Sequence, residues 1–303
     1  MTPTYSGRRP RSMAEMAELE QRTFSMSDIV AAIQSYVPRP TDVVISPFGK
    51  CGTTWLQHTF HTLRTRGDAD FDDISRVVPW IETARLLGID LNAPQRAEPR
   101  GFKSHLGYDG LPQGARYVVS LRDPKDAFVS MYRFMEGWQF EPGSISYEDY
   151  FAARIGNRGQ GPDYWTHLQS WWAQRDNPNV LLMSYEHMVD EPDLAITRLA
   201  RFAGIALDDA LLALTRERTS IGWMLAHKHL FDDAMLRERS ETVGGLPPGS
   251  DSAKVRKGGR GGRTELPAAV SAGLDAIWAS DIAPVTGHAD YDSLEREIRR
   301  RAA

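Results

Sequence analysis

Cysteine is nearly absent from this sequence, since its 303 residues contain only Cys51. A single cysteine excludes an internal disulfide framework and is typical of a protein in a reducing compartment. Long hydrophobic runs are absent as well, because the apolar run at residues 29–33 is far shorter than the roughly 18 residues of a membrane helix. No hydrophobic segment follows Arg8 and Arg9, so no secretion signal is predicted. We therefore expect a cytoplasmic protein without a membrane span.

An excess of one charge is also lacking, because 36 lysine and arginine residues stand against 40 aspartate and glutamate residues, a net charge of −4. This balance argues against a polyelectrolyte partner, so no nucleic-acid partner is predicted. The chain is 41% hydrophobic and 10% aromatic, which is too apolar for a disordered protein. Neither an internal repeat nor a linker of domain-boundary length interrupts it, so we expect one domain over residues 1–303.

Short apolar segments alternate with amphipathic ones along most of the chain. After several of these segments, apolar side chains recur at helical spacing, as in residues 56–63 and 128–135. This alternation predicts an α/β fold, with a central parallel β-sheet flanked by helices on both faces. The predicted strands are residues 41–46, 101–105, 117–121 and 180–185.

Two segments differ in composition from this pattern. Residues 1–26 are polar and predict a loosely ordered N-terminal arm that leads into a helix. Residues 242–263 are rich in glycine, and an irregular segment of this length inside a compact domain is usually functional or disordered.

The first predicted strand leads directly into a loop of glycines, hydroxyl groups and one lysine. Gly49 and Gly52 let the backbone come close to a ligand, while Lys50 adds a cation and Thr53 adds a hydroxyl donor. At the carboxyl end of a parallel strand, the free N–H groups and the dipole of the next helix favour an anion. The spacing is not that of the Walker A loop, G-x-x-x-x-G-K-[ST]. A lone lysine near glycines is most often a solvated surface residue, so the strand context carries this prediction of an anion site.

Residues 50–55 have the sequence K-C-G-T-T-W, which resembles the K-S-G-T-T-W loop of the cytosolic-type sulfotransferases. The resemblance covers about residues 36–263 with the family's motifs in order, and we interpret the chain as a bacterial member. It implies a P-loop-like sulfotransferase fold and the donor 3′-phosphoadenosine 5′-phosphosulfate (PAPS), which leaves as 3′,5′-ADP. The residues that match the phosphosulfate loop are Lys50, Cys51, Gly52, Thr53, Thr54 and Trp55.

Residues 117–130 resemble the second motif of this family, a strand that ends in R-[ND]-P-K-D and leads into a helix with a serine. By position, Arg122 and Ser130 match the pair that binds the 3′-phosphate of the nucleotide. A guanidinium fork suits phosphate oxygens, although an arginine after a strand is most often part of a surface salt bridge.

The third motif, R-K-G, matches Arg256, Lys257 and Gly258, so residues 242–263 are expected to close over the nucleotide. In isolation, this segment is more typical of a flexible basic loop. The family usually continues with D-W-K and later carries the dimer motif K-x-x-x-T-V-x-x-x-E. Neither is recognisable here, so no mode of dimerisation is predicted.

The F-K-S-H segment at residues 102–105 resembles the family's K-T-H segment and places His105 at the position of the catalytic base. A hydroxyl that attacks sulfur must lose a proton, and an imidazole has a suitable pKa for accepting it. The resemblance implies that Lys103 holds the sulfuryl oxygens and that Lys50 stabilises charge on the bridging oxygen.

The resemblance also implies an adenine pocket, in which Trp55 stacks on the base. The other residues that match it are Tyr185, Thr219, Ile221 and Met224, with Ile221 in place of the usual aromatic residue. Plain core packing explains Trp55 and Tyr185 equally well.

Three aromatic residues fall in segments expected near an acceptor pocket: Trp80, Phe134 and Trp138. They predict a small hydrophobic acceptor such as a phenol, alcohol, sterol or lipid, although core packing explains each of them equally well. The sequence does not choose among these acceptors.

These motifs together predict a PAPS-dependent sulfotransferase that acts on a hydroxyl or an amine. Two alternatives stay open, a P-loop-like nucleotide-dependent kinase and a catalytically idle nucleotide-binding protein. A kinase needs a metal-binding carboxylate and a Walker lysine, and the sequence offers neither. The eight histidines form no H-E-x-x-H or Cys/His motif, so no metal is predicted.

Overall fold

The computed structural model describes residues 3–156, 163–252, 254–256 and 261–302. In these residues four strands form one parallel sheet in the order β2-β1-β3-β4. Val44 pairs with Phe102 on one side and with Tyr117 on the other. The predicted parallel α/β sheet is confirmed, with strands close to their expected positions. The strands are β1 (Val43–Ile45), β2 (Gly101–Lys103), β3 (Arg116–Leu121) and β4 (Val180–Ser184).

The sheet is surrounded by α-helices, none of which, in the described ranges, has the length and hydropathy of a membrane span. Before β2 they are α1 (Met13–Thr23), α2 (Met26–Ser35), α3 (Thr53–Thr65) and α4 (Ile74–Val77). Between β3 and β4 they are α5 (Pro124–Trp138), α6 (Tyr147–Gly156) and α7 (Tyr164–Ala173). After β4 they are α8 (Tyr185–Asp190), α9 (Pro192–Ala203), α10 (Asp209–Arg218), α11 (Ile221–Ala226), α12 (Ala234–Arg239), α13 (Ala268–Ile277), α14 (Ala283–Thr286) and α15 (Tyr291–Ala302).

Apolar side chains on the two faces of the sheet enter separate cores, because successive side chains of a strand point to opposite faces. Val44 and Val119 belong to a core that also contains residues of α7, α13 and α15. Val43 and Val118, each one position earlier, belong to a second core with residues of α3, α8 and α9. Helices therefore cover both faces, as predicted.

The order of the strands determines where a ligand can bind. β1 lies between β2 and β3; the chain leaves β1 towards β2 and leaves β3 towards β4, so the two connections diverge. In open α/β sheets such a divergence leaves a crevice beyond the carboxyl ends of the two strands. Lys50, after β1, and Arg122, after β3, lie at this end of the sheet.

The N-terminal segment differs from the expected loose arm. Helix α1 begins after Ser12, whose hydroxyl accepts a hydrogen bond from the Glu15 N–H, and it buries Met16 and Leu19. Ahead of it, Tyr5 is fully buried and donates its hydroxyl to the Gly244 carbonyl over 2.5 Å. The prediction was wrong because the apolar positions of α1 are few, and their helical spacing is obscured by the polar residues between them.

The glycine-rich segment holds more regular structure than a loop. Residues Ser240–Gly244 form a π-helical turn that lies against α1, and a side chain at Gly244 would collide with Thr23 and Leu19. Residues Gly262–Glu265 form a 3₁₀ turn. Lys257 and Gly258 lie outside the described residues, and closure of the segment over a nucleotide stays a prediction.

Candidate active site

The loop between β1 and α3 leads into the N-terminus of α3, where backbone N–H groups lack partners within the helix. Gly52 is the N-cap of α3, with φ 96° in the left-handed region, and no described side chain caps this end. Lys50 also has a positive φ of 68°, which is uncommon for a residue with a side chain. The first hydrogen bond of the helix runs from the Leu56 N–H to the Gly52 carbonyl, so the N–H groups of residues 53–55 have no partner within the helix and are available to a ligand. This is the geometry of an anion site.

Residues at the end of β3 fix this loop in place. Ser120 donates its hydroxyl to the Cys51 carbonyl, and Arg122 donates Nη1 to the Lys50 carbonyl over 2.8 Å. Burial raises the pKa of the Cys51 thiol to about 12, so Cys51 stays a neutral thiol that fills space. The buried hydroxyl of Thr53 has no hydrogen-bond partner among the described residues. This hydroxyl is therefore available to donate a hydrogen bond to a ligand.

Two ammonium groups lie beside aromatic rings next to this loop. Nζ of Lys50 is 4.4 Å from the centre of the Phe134 ring, and Nζ of Lys103 is 3.9 Å from the centre of the Trp80 ring. Burial, followed by the charge of Lys254, lowers the pKa of Lys50 to about 7 and that of Lys103 to about 8. Both ammonium groups therefore lose their proton more readily than a solvated lysine, and a bound anion would raise both pKa values.

His105 follows β2 and has a defined tautomer. Its Nδ1 is 2.7 Å from the Pro47 carbonyl oxygen, which can only accept, so Nδ1 carries the proton and Nε2 carries the lone pair. Its backbone N–H donates to Oε1 of Glu82 over 2.7 Å. Burial and the charge of Lys103 hold the pKa of the imidazole well below its usual value. His105 is therefore neutral near pH 7, and Nε2 can accept a proton.

The residues expected at the 3′-phosphate lie on separate elements. Arg122 is buried, with its guanidinium 4.2 Å above the centre of the Tyr185 ring. Ser130 is half-buried in the second turn of α5. Arg256 is exposed and lines a groove with Arg133, which is one helical turn beyond Ser130. Arg122 thus lies against the loop between β1 and α3, and Arg256 lies beside α5.

Two carboxylates at the start of α5 hold the segment after the R-K-G motif. Asp126 accepts hydrogen bonds from the Arg263 N–H over 2.7 Å and from the Gly261 N–H over 3.3 Å. Asp123 accepts from the Arg263 guanidinium over 2.8 Å. The segment is therefore anchored even though the D-W-K sequence usual in the family is missing.

Most residues expected at the adenine share one apolar cluster. Trp55 donates Nε1 to the Thr219 carbonyl over 3.1 Å and packs in a cluster with Tyr185 and the buried Met224. Ile221 begins α11, is 44% exposed and lies outside that cluster, and its contact with the adenine stays a prediction.

The three aromatic residues expected at the acceptor meet in one apolar cluster with Leu236 and Leu246. The rings of Phe134 and Trp138 are 5.4 Å apart, and Trp80 meets the His105 ring edge-on at 5.0 Å. This apolar cluster therefore adjoins both the candidate base and the two ammonium groups.

Sequence reasoning missed three charged residues of this site: Glu82, Asp233 and Lys254. Glu82 had a local signal, since it is a carboxylate directly after an apolar segment that ends in Trp80 and Ile81. Lys254 lies just before the R-K-G motif. Asp233 had no signal, because its partners are far from it in the sequence.

The comparisons with known proteins agree with this geometry. The sulfotransferase domain family matches residues 40–263. Sulfotransferase 1C2 of Homo sapiens is 28% identical over 199 residues, which are 62% of this chain and 67% of that protein. Sulfotransferase 1C2 of Oryctolagus cuniculus is 28% identical over 237 residues, which are 75% of this chain and 77% of that protein.

Solved structures share the fold at lower identity. A retinol dehydratase in complex with androsterone and the inactive cofactor PAP is 18% identical, with a TM-score of 0.68 over 91% of this chain and 95% of that one. A mouse sulfotransferase complexed with PAP is also 18% identical, with a TM-score of 0.66 over 92% of this chain and 95% of that one. Because the family's domain spans most of its length, this chain belongs to the sulfotransferase family of enzymes.

Proposed function

We propose that this chain transfers the sulfuryl group of PAPS to a hydroxyl, or an amine, of a small hydrophobic acceptor. The observation that carries the proposal is that a neutral histidine with its lone pair on Nε2 lies beside the loop between β1 and α3, next to the half-buried Lys50 and the buried Lys103. The membership of the chain in the sulfotransferase family supports the same reaction. The bacterial origin and the cytoplasmic location expected from the sequence stay predictions.

The residues of the site fit an anionic donor. The free Thr53 hydroxyl, the N–H groups at the start of α3 and the ammonium groups of Lys50 and Lys103 suit a phosphosulfate. Arg122 suits the 3′-phosphate, with Ser130, Arg256, Lys257 and Gly258 expected to complete that part of the site. The cluster of Trp55, Tyr185, Thr219 and Met224 suits the adenine. Bound PAPS supplies an activated sulfuryl group.

In the proposed reaction, Nε2 of His105 accepts the proton of the acceptor hydroxyl as the hydroxyl oxygen forms its bond to sulfur. The bond between sulfur and the 5′-phosphate oxygen breaks in the same displacement, and Lys50 stabilises the charge left on that oxygen. The Pro47 carbonyl accepts from Nδ1–H and so stabilises the imidazolium that forms. Lys103 holds the sulfuryl oxygens, and the apolar cluster around Trp80 keeps water from the attacking atom.

Thermal unfolding with three nucleotides tests the donor. A nucleotide present at about 100 times its Kd adds roughly 2.7 kcal/mol of stability, which is several degrees in Tm for a chain of this size. We expect 3′,5′-ADP to raise the Tm by this amount, 5′-AMP to raise it less because it lacks the 3′-phosphate, and ATP with Mg²⁺ to have little effect.

A Tm increase with ATP and Mg²⁺ alone would overturn the proposal in favour of a kinase. Binding of 3′,5′-ADP without sulfuryl transfer from PAPS to any phenol, alcohol, sterol or amine would indicate a catalytically idle nucleotide-binding protein. Transfer to one of these acceptors would also identify the acceptor class.

Replacing Arg122 by alanine tests the 3′-phosphate assignment. We expect the affinity for 3′,5′-ADP to fall about 10- to 100-fold, as is usual when a hydrogen-bonded charge pair loses one partner. The affinity for 5′-AMP should change little, and calorimetry measures both. The exposed Arg216→Ala variant is the matched control. Because Arg122 also bonds the Lys50 carbonyl, equal losses for both nucleotides would instead assign Arg122 to fixing the loop.

A further inference from the structure

Asp233 lies between two lysines that come from different parts of the chain. Its Oδ1 is 2.5 Å from Nζ of Lys254 and 3.9 Å from Nζ of Lys103. The side chains of Lys103 and Asp233 are almost completely buried, and that of Lys254 is 9% exposed. Taking a carboxylate and two ammonium groups out of water costs free energy, which their mutual attraction offsets only where the geometry is good.

The shared carboxylate joins the sulfuryl side of the site to the segment that leads into the R-K-G motif. Lys103 ends β2 with its ammonium above Trp80, whereas Lys254 lies two residues before Arg256. A second bond joins the same segments, because the Ser252 hydroxyl donates to the Asp232 carbonyl over 3.3 Å.

Lysine is much rarer than arginine in this chain. Only six of the 36 lysine and arginine residues in the sequence are lysines. Lys50, Lys103 and Lys254 account for half of the lysines, and the charge of each lowers the pKa of the Asp233 carboxyl. An ammonium group, unlike a guanidinium, changes its protonation readily with its surroundings. Half of the lysines in this chain therefore act electrostatically on one buried carboxylate.

The charges around Lys103 do not cancel. Burial alone would raise the pKa of the Asp233 carboxyl, but Lys254 and Lys103 hold it at about 2, so Asp233 is a fixed anion. The other charged or titratable groups facing Lys103 are Lys254, Glu82, Asp73, Lys50 and His105. Asp233 thus favours the charged form of Lys103, and Lys254 opposes it both directly and by competing for Asp233.

We propose that Asp233 and Lys254 are a pair of positioning residues, in which Asp233 holds the Lys103 ammonium at the sulfuryl position and Lys254 limits the strength of that hold. This inference rests on the proposed function, which gives Lys103 its task. A weaker hold leaves Lys103 free to turn towards the sulfuryl oxygens when the donor binds. The pair acts through Lys103 and needs no contact with the substrate.

Two variants test this pair, because they should shift the pH dependence of kcat/KM in opposite directions. Asparagine has the size of aspartate and suits the left-handed backbone of Asp233 at φ 51°. Asp233→Asn removes the negative charge beside Lys103, so Lys103 should lose its proton at a lower pH. The pH at which kcat/KM for PAPS falls on the alkaline side should therefore decrease by about one unit. Lys254→Met removes the competing cation, so the pH at which kcat/KM falls on the alkaline side should increase by a similar amount. Lys50 responds with the same signs, because Asp233 and Lys254 act on it in the same way.

Lys228→Met is the matched control. Lys228 pairs with Asp251 over 3.0 Å and joins the same two segments, but both side chains are more than half exposed, so its removal should leave the pH profile unchanged. Lys254→Arg keeps the charge and should also retain the wild-type profile. Shifts of Asp233→Asn and Lys254→Met in the same direction, or no larger than that of Lys228→Met, would overturn the proposal and leave a structural ion pair.

A second measurement does not depend on turnover. In protein labelled with ¹³C at lysine Cε, the six lysines give few signals, and Lys103→Met assigns the one from Lys103. The titration midpoint of that signal should fall in Asp233→Asn and rise in Lys254→Met. If the wild-type chain transfers no sulfuryl group from PAPS, the proposed function fails, whereas opposite shifts here still uphold the pair and parallel or absent shifts still reject it.

Discussion

Replacing His105 by alanine is expected to lower the turnover of sulfuryl transfer by about 100-fold or more, with the affinity for 3′,5′-ADP near that of the wild type. The attacking hydroxyl would then have no group to take its proton, whereas the nucleotide is expected to contact the loop after β1 and Arg122 instead. Single-turnover rates with PAPS and calorimetry with 3′,5′-ADP measure the two quantities separately.

His105→Asn is the sharper variant for this test. Its side-chain amide can still donate to the Pro47 carbonyl, as Nδ1 does in the wild type, but it has no basic nitrogen. Turnover should fall as far as in His105→Ala, and the exposed His229→Gln variant should be unaffected. Turnover near the wild-type value in either His105 variant would remove His105 from the mechanism.

The second large effect is expected from Lys50→Met, which should lower kcat by about 10²- to 10³-fold. The negative charge on the 5′-phosphate oxygen grows as the bond to sulfur breaks, so the ammonium stabilises the transition state more than it stabilises bound PAPS. The backbone carbonyl of Lys50, which Arg122 holds, is retained in this variant. Steady-state kinetics that separate kcat from KM for PAPS measure the effect.

Lys228→Met is again the matched control, because it removes an exposed ammonium group and leaves the site intact. A loss confined to KM for PAPS would mean that Lys50 binds the donor equally in the ground and transition states. That result would contradict its proposed role at the bridging oxygen.

The pattern of the sequence sufficed for the sheet but not for the N-terminus. The strands could be predicted because both faces of a parallel sheet are buried, so that segments such as residues 117–121 are apolar throughout. Helix α1 buries only one narrow stripe, and Met16 and Leu19 stand among charged residues that conceal it. Periodicity over so few apolar positions is too weak a signal to be recognised.

For the candidate site too, some features could be predicted from the sequence and others could not. The position of Lys50, Arg122 and His105 at the carboxyl end of the sheet could be predicted because each follows a strand, whereas their roles stay predictions. Ile221 lies at the exposed start of a helix, and its expected contact with the adenine stays a prediction. Asp233 could not be predicted, since its role comes from Lys103 and Lys254, and no local pattern records contacts between distant segments.

The segment that carries Arg256 is tied down on either side of the R-K-G motif. Asp233 binds Lys254 before the motif, and Asp126 binds Gly261 and Arg263 after it. Folding has therefore already ordered both flanks of the motif, so less conformational entropy should be lost if the segment encloses a nucleotide as proposed. Under the proposed function we then expect more of the interaction with the 3′-phosphate to remain as net affinity, and release of the spent nucleotide to be slower for the same reason.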